Sequence, residues 1–180
     1  MTSSYSPASR FLHWLTVFLL ALQFAIAWLM PEIHRGTKPI GLISWHLSVG
    51  TLIILVVVAR AVVRLTGPRI ARLPGLPRHI EVAAKVVHGL LYLLLLVVPL
   101  LGWANASSRG WAVSLFLVIP LPQLVPTGSA LGHALGDVHQ VASWLLLATV
   151  AMHVLAALYH HFILRDNTLR RMLPSSSGLD

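Results

Sequence analysis

The feature that most constrains the fold is an apolar stretch late in the chain, residues 138–163, that contains four histidines. The stretch is long enough to cross a bilayer, whose hydrocarbon core of about 30 Å needs about 20 apolar residues. Ionisable groups are costly in hydrocarbon, so a histidine there usually faces the interior of a helix bundle and serves a function. Two of them, His139 and His153, lie on one helix face and are separated by about 21 Å along the axis. The segment therefore predicts a membrane-spanning helix whose histidines have partners elsewhere in the chain.

Three further stretches have comparable length and polarity, at residues 11–30, 43–65 and 82–104. The chain is 57% hydrophobic and only 10% charged, whereas a soluble domain has about 25% charged residues. We therefore predict an all-α fold, a four-helix transmembrane bundle that forms a single domain over residues 1–180. The first stretch also has features of a signal peptide, because it follows Arg10 and contains Ala25 and Ala27. Its apolar run exceeds the usual 7–15 residues, which favours a retained helix.

The distribution of Lys and Arg predicts that both termini are cytoplasmic. Ten of the thirteen lie on the side that holds the termini and the second loop, and only Arg35, Lys38 and Arg109 lie opposite. This asymmetry follows the positive-inside rule and accounts for the net charge of +8 without a nucleic-acid partner.

Several further features fall in the predicted loops or inside a predicted helix. Pro99 predicts a kink in the third helix. The outward loop, about residues 105–136, contains an apolar stretch, 111–125, that is too short and too interrupted by prolines to span. It is predicted to lie at the outer interface, with Trp103 and Trp111 in an aromatic belt. Three histidines fall in predicted loops and have no predicted role as ligands: His34, His79 and His133.

Four of the remaining histidines fall into two layers. His46 and His139 share the outer level of the predicted bundle, while His13 and His153 share the inner one. Two cross-helix pairs at two depths are what two haems with bis-histidine ligation require, and bundle cores are the usual place for such cofactors. The chain has no cysteine, so covalent attachment is excluded and the haems would be b type. Zinc is the competing metal, but its ligands gather in one cluster.

The motifs around these histidines resemble those of a known family. They are YS...FLHWL at the start, ISWHLSVG in the second stretch, HQ-x12-MH in the fourth, and the closing YHHF-x-x-RDNTLRRMLP. Together they cover nearly the whole chain and are similar to bacterial cytochrome b561. The resemblance implies a four-helix, di-haem inner-membrane protein with His13, His46, His139 and His153 as axial ligands. It also implies electron exchange with ubiquinone and, as in the best-described relative, oxidation of superoxide at the outer face.

The resemblance leaves two functions open. The first is an enzyme, a superoxide:ubiquinone oxidoreductase, which the compact length and the closing block favour. The second is a cytochrome b anchor that conducts electrons for a partner dehydrogenase or hydrogenase subunit.

The quinone is predicted to bind near the inner haem, with His160, His88 and Lys85 as contacts to quinone or haem propionates. His88 is preferred as a packing residue or a propionate partner, because the ligand set is already complete, and His161 is interfacial. Four basic residues are candidates for pairing with propionates: Arg10, Arg60, Arg64 and Lys85. For Arg60 and Arg64, snorkelling to lipid phosphate is an equal alternative.

Superoxide is an anion and is predicted to arrive at the outer haem. Arg35, Lys38 and Arg109 would line its mouth, with His34 and His133 as helpers. The alternative is that these three cations are ordinary loop residues beside lipid headgroups.

Overall fold

A computed structural model describes residues 5–34, 36–68, 77–116 and 118–173. It contains four long helices, a two-stranded antiparallel hairpin and one turn of 3₁₀ helix. In chain order these are α1 (Pro7–Leu29), α2 (Leu42–Thr66), α3 (Arg78–Ser108), β1 (Ser114–Leu115), β2 (Ile119–Pro120), α4 (Ala130–Phe162) and the 3₁₀ turn (Arg170–Met172). Each of the four helices is long and apolar enough to cross a membrane. The predicted all-α, four-helix transmembrane fold is confirmed.

Helix α4 begins well before the apolar stretch that predicted it. The hydroxyl of Ser129 accepts a hydrogen bond from the Gly132 amide (3.2 Å), and a side-chain acceptor at this position starts a helix by satisfying one of its free amides. The helix therefore starts at Ala130 and not near residue 138. His133 lies in its first turns, so the prediction that His133 lies in a loop is wrong.

Helix α3 also extends past its predicted bounds of 82–104, from Arg78 to Ser108, and continues through Pro99. His79 is therefore helical, contrary to the loop prediction. Helix α2 agrees with its predicted bounds of 43–65 to within one residue at each end, whereas α1 begins four residues before its predicted start at residue 11. In α1 the Ser6 hydroxyl caps the first turn by accepting from the Ser9 amide (3.2 Å). Hydropathy locates apolar side chains, whereas capping groups decide where a helix ends.

The helices pack as two pairs. α1 lies along α2 and α3 lies along α4, and α2 also packs against α3. Buried aliphatic side chains of all four helices form the central core, among them Leu19, Val57, Leu94 and Leu146. Within the described part of the chain, α4 has no comparable backbone contact with α1 or α2. The bundle thus leaves room between α4 and the first helix pair.

Two glycines of α4 allow α3 and α4 to approach closely. A Cβ atom on Gly136 would lie 2.7 Å from Cγ of Asn105, and one on Gly132 would lie 2.5 Å from Cβ of Ser108. Real Cβ atoms essentially never come that close. The Gly132-x3-Gly136 spacing is the small-residue pattern of packed membrane helices, and here it sets how close the second helix pair can be.

The hairpin covers one end of the bundle. Ser48 of α2 donates through its hydroxyl to the Ser114 carbonyl (2.8 Å), and the Trp111 indole N–H donates to the Thr37 carbonyl (3.2 Å). Trp111 is buried in a small core with Ile43. It therefore packs inside the protein and not in a lipid-facing belt, because the apolar stretch 111–125 folds back onto the helices. We call this end of the bundle the hairpin end, and the end where α1 begins and α4 stops the termini end.

Candidate functional site

His46 and His139 face each other across the gap near the hairpin end. Their ring centroids are 6.2 Å apart and the rings are nearly perpendicular, at 83°. His46 lies one turn into α2 and His139 lies on α4, so the two side chains approach across a space where the backbones do not touch. We call them the hairpin-end pair.

The ring of His139 is oriented by α3. Its Nδ1 donates to the backbone carbonyl of Val98 at 2.8 Å, which leaves Nε2 with a free lone pair, the arrangement found for metal-bound imidazoles. The ring can reach this carbonyl because residue 102 is glycine. A Cβ atom there would lie 3.0 Å from both Cε1 and Nδ1 of His139. Gly102 has no sequence signal of this role.

His46 contacts Gln23 of α1, which the sequence did not single out. The Gln23 amide nitrogen donates to the His46 carbonyl (3.1 Å) and lies 3.3 Å from Nε2 of the ring. Gln23 Oε1 and His46 Nδ1 are both buried without a hydrogen-bond partner. Buried polar groups are normally satisfied, so this corner of the site is suited to a further polar ligand group.

A cavity lies between the members of the hairpin-end pair. All four helices line it, through residues such as Phe24, Gly50, Pro99 and Ser143. Its lining is mostly apolar with a few polar groups, as is usual for cofactor and ligand sites.

The termini-end pair consists of His13 on α1 and His153 on α4, with ring centroids 6.4 Å apart. His88 of α3 lies closer to His153, at 5.2 Å, and its Nδ1 donates to the Ala84 carbonyl (2.6 Å). Arg60 of α2 donates through Nη2 to Nδ1 of His13 (2.9 Å). The structure thus brings His88 into the same layer as this pair.

Both pairs have the spacing that bis-histidine ligation needs. A metal–imidazole nitrogen bond is about 2.0–2.1 Å, so two such bonds and the two ring radii place the centroids about 6 Å apart. The pairs at 6.2 and 6.4 Å match this distance, whereas 5.2 Å between His88 and His153 is too short. No group of three or more His, Cys, Asp or Glu suited to a metal ion occurs among the described residues, which disfavours zinc. The residues present fit two haems.

A groove at the termini end contains the predicted quinone contact His160. Its walls are apolar and come from α4 and the start of α3, with Ile80, Met152, Leu155 and Tyr159 among them. Neither His88 nor Lys85 lines this groove; His88 belongs to the histidine layer, and Lys85 is exposed on α3. Of the three residues predicted as contacts to quinone or propionate, the structure places His160 in this groove.

His160 forms a pair with Asp166 just beyond α4. Its Nδ1 lies 2.5 Å from Oδ2 of Asp166, and Thr168 donates its amide to Oδ1 (2.8 Å). Burial works to raise the pKa of the Asp166 carboxyl, but the hydrogen bonds from His160 and Thr168 outweigh burial and hold that pKa below its ordinary value of 3.8. The carboxylate is thus kept charged beside the imidazole.

The basic residues take different positions. Arg60 points inward, with Cζ 5.5 Å from the ring centroid of Tyr92, which does not fit snorkelling to lipid phosphate. Arg64 is exposed and lies over Tyr5, at 6.0 Å. Arg10 donates to the Leu173 carbonyl (2.9 Å) and Trp14 donates to the Met172 carbonyl (2.9 Å), so the segment after α4 is tied to α1.

The described residues among those predicted to form the superoxide mouth lie at the hairpin end. Lys38 is exposed. Arg109 is half-buried, with Cζ 5.5 Å from the Trp111 ring and Nε buried without a partner. His34 is exposed beside Glu32, at 3.5 Å, and the exposed His133 bonds its own helix turn through the Ser129 carbonyl (2.9 Å). Arg35 lies outside the described residues.

Comparison with known proteins shows which family the chain is similar to. The chain is 31% identical to the "Probable superoxide oxidase CybB" of Yersinia pestis, over 99% of this chain and all of that protein. It is 30% identical to "Cytochrome b561 homolog 1" of Escherichia coli, over 94% of this chain and 97% of that protein. It is also 29% identical to "Cytochrome b561 homolog 2" of the same organism, over 97% and 93% respectively. The family model described as prokaryotic cytochrome b561 matches residues 4–175. Haem b binding and membrane electron transport are properties of that group. This chain, a multi-pass membrane protein with paired histidines between its helices, belongs to the prokaryotic cytochrome b561 family.

Proposed function

We propose that this protein is a di-haem superoxide:ubiquinone oxidoreductase of the bacterial inner membrane. The observation that carries the proposal is the presence of two histidine pairs, at 6.2 and 6.4 Å, in separate layers of one bundle. His46 and His139 would hold one haem b, and His13 and His153 the other. The likeness to a probable superoxide oxidase over the full chain supports the choice of substrate.

Bound haem would supply one-electron chemistry, and the chain's own residues supply ligation, orientation and access. A bis-histidine site has no open coordination position for oxygen. His139 is preset for ligation because the Val98 carbonyl holds its proton at Nδ1. The chain thereby fixes the tautomer of one ligand before any cofactor binds.

The hairpin end faces outward in this proposal, as the positive-inside bias predicts. Superoxide would approach there, attracted by Lys38 and Arg109. Positive charge at the entrance raises the encounter rate with an anion, and the effect weakens as salt is added. Each superoxide loses one electron and leaves as dioxygen.

Ubiquinone would bind in the apolar groove beside His160 at the termini end, which it can reach through the lipid. Two electrons and two protons convert it to quinol, so two superoxide ions are consumed for each quinone. The His160–Asp166 pair can hold a proton next to the groove, and Asp166 keeps the imidazole oriented. His88 and Lys85 lie outside the groove lining, and we place His88 beside the termini-end haem.

The ligand assignment is tested by haem content. Purified full-length protein should bind about two haems with a low-spin b-type spectrum. His46→Ala or His139→Ala should remove one of them, and His13→Ala or His153→Ala should remove the other. Loss of the same haem from all four variants would contradict the two-site arrangement.

The substrate assignment is tested by mixing the purified protein with superoxide, with and without a ubiquinone analogue. We expect haem reduction in both cases and quinol formation only when the analogue is present. Haem reduction by quinol together with no response to superoxide would contradict the proposal and favour the electron-conduit function.

The assignment of superoxide and ubiquinone to opposite ends of the bundle is tested by charge reversal. Lys38→Glu combined with Arg109→Glu should slow haem reduction by superoxide at low salt and leave quinol-driven reduction unchanged. If only the quinol-driven rate falls, the two substrates have been placed at the wrong ends.

A further inference from the structure

The guanidinium of Arg60 reaches into the histidine layer at the termini end. Arg60 is half-buried, donates to Nδ1 of His13 at 2.9 Å, and is held over the face of Tyr92 at 5.5 Å. Neither of these partners carries a negative charge, and arginine stays protonated in proteins. A fixed positive charge therefore lies beside one of the two pairs.

The hairpin-end pair has neutral partners. His139 donates to the Val98 carbonyl (2.8 Å), and His46 lies against the amide of Gln23 (3.3 Å). When the ring nitrogen that does not bind the metal donates to a carbonyl, the histidine becomes a more basic ligand. A more basic ligand stabilises the oxidised metal, because that form carries the extra positive charge.

Arg60 has the opposite effect. A cation near the ligand repels the additional positive charge of the oxidised state, and this repulsion is strong where water is excluded and the local dielectric is low. From these contacts we infer that Arg60 gives the termini-end haem a higher reduction potential than the hairpin-end haem, so that electrons run from the hairpin end to the termini end. The inference rests on the proposed function in taking the two histidine pairs as ligands.

The direction of this effect does not depend on the hydrogen bond itself. Arg60 donates to Nδ1 of His13, so the ring proton is at Nε2, and ligation through Nε2 requires that proton to move to Nδ1. Arg60 would then no longer donate to Nδ1, whereas its contact with the ring of Tyr92 (5.5 Å) does not involve His13. That contact would hold the charge in the same layer, and Coulomb repulsion falls only as the inverse of distance.

The test is a redox titration of purified full-length protein, followed by optical and EPR spectra. In Arg60→Gln the reduced-to-oxidised ratio of one haem should fall at least tenfold at a fixed ambient potential, which is a shift of about 59 mV for a one-electron couple. The other haem should be unchanged. Arg60→Lys retains the charge and should keep most of the potential. Arg78→Gln removes an exposed charge at the same end of the bundle and serves as the matched control.

His46→Ala identifies the haems without altering Arg60. It should leave only the haem of higher potential, and if it leaves the haem of lower potential the inference is overturned even when Arg60→Gln does not fold. The inference is also overturned if both haems have the same reduction potentials in Arg60→Gln as in wild type. Failure of the proposed function has a different signature, since it appears in the number of haems bound or in the response to superoxide. A chain that binds a single haem overturns both.

Discussion

Replacing Gly102 with alanine should damage the hairpin-end site although residue 102 bears no chemical group. The new Cβ would lie 3.0 Å from two ring atoms of His139, whereas ordinary contact begins at 3.4 Å. The ring must therefore give by a few tenths of an ångström, which strains its 2.8 Å bond to the Val98 carbonyl. Complete loss of such an orienting bond typically lowers metal affinity by about 10–100-fold, which is about 1.4–2.7 kcal/mol, so the effect of Gly102→Ala should be at most of this size.

The measurement is haem content and midpoint potential after purification in detergent, with the protein titrated against free haem. We expect weaker binding and an altered spectrum at one haem only. Gly89→Ala is the matched control, because it lies in the same helix and its Cβ would meet nothing within 4 Å. Alanine is a better helix former than glycine by up to about 1 kcal/mol, so Gly89→Ala should be neutral or stabilising. If Gly102→Ala retains both haems with unchanged affinity and potential, the steric reasoning is refuted.

Three further changes follow from contacts outside the histidine layers. Gly136→Ala would place a Cβ 2.7 Å from Asn105. This overpacking should cost about 1–3 kcal/mol of folding free energy and lower the thermal midpoint in detergent. An unchanged midpoint would mean that α3 moves to make room for the added methyl group. Trp14→Phe removes the indole donor to the Met172 carbonyl at a cost of about 1 kcal/mol. It should therefore speed trypsin cleavage at Arg170 or Arg171. The control is Trp28→Phe, which removes an exposed indole from the same helix. Because the pKa of Asp166 is held below 3.8, its contribution to stability is present at neutral pH and is lost as pH falls through the lowered value. Hydrogen exchange in residues 163–173 should therefore rise below about pH 4 in wild type, and an equal pH response in Asp166→Asn would contradict this.

Some of the site was readable from the chain because membrane helices obey simple length and depth rules. A span must be about 20 residues long, so four apolar stretches imply four helices. The histidine positions along them then sort by depth without knowledge of packing. The structure brings together His46 with His139 and His13 with His153, the same two pairings that depth predicted.

Other residues could not be predicted because their role depends on which helix faces they meet. Gly102 matters only because His139 of α4 packs against it, and Gln23 matters only because α1 places it beside His46. The Gly132-x3-Gly136 spacing was a usable signal of close helix packing, but it does not name Asn105 and Ser108 as the side chains that occupy the space. Helix rotation about its axis is set by contacts, and hydropathy does not report it.

The sequence alone determined the fold class, the family resemblance and the two histidine layers, since all three depend on residue type and spacing along a helix of known rise. The tertiary structure decided how the sites differ: a backbone carbonyl orients His139, a guanidinium approaches His13, and the apolar stretch 111–125 folds over one end of the bundle. Each of these contacts joins residues from different helices or loops. Such contacts arise only when the helices pack, because packing fixes the rotation and separation that decide which side chains meet.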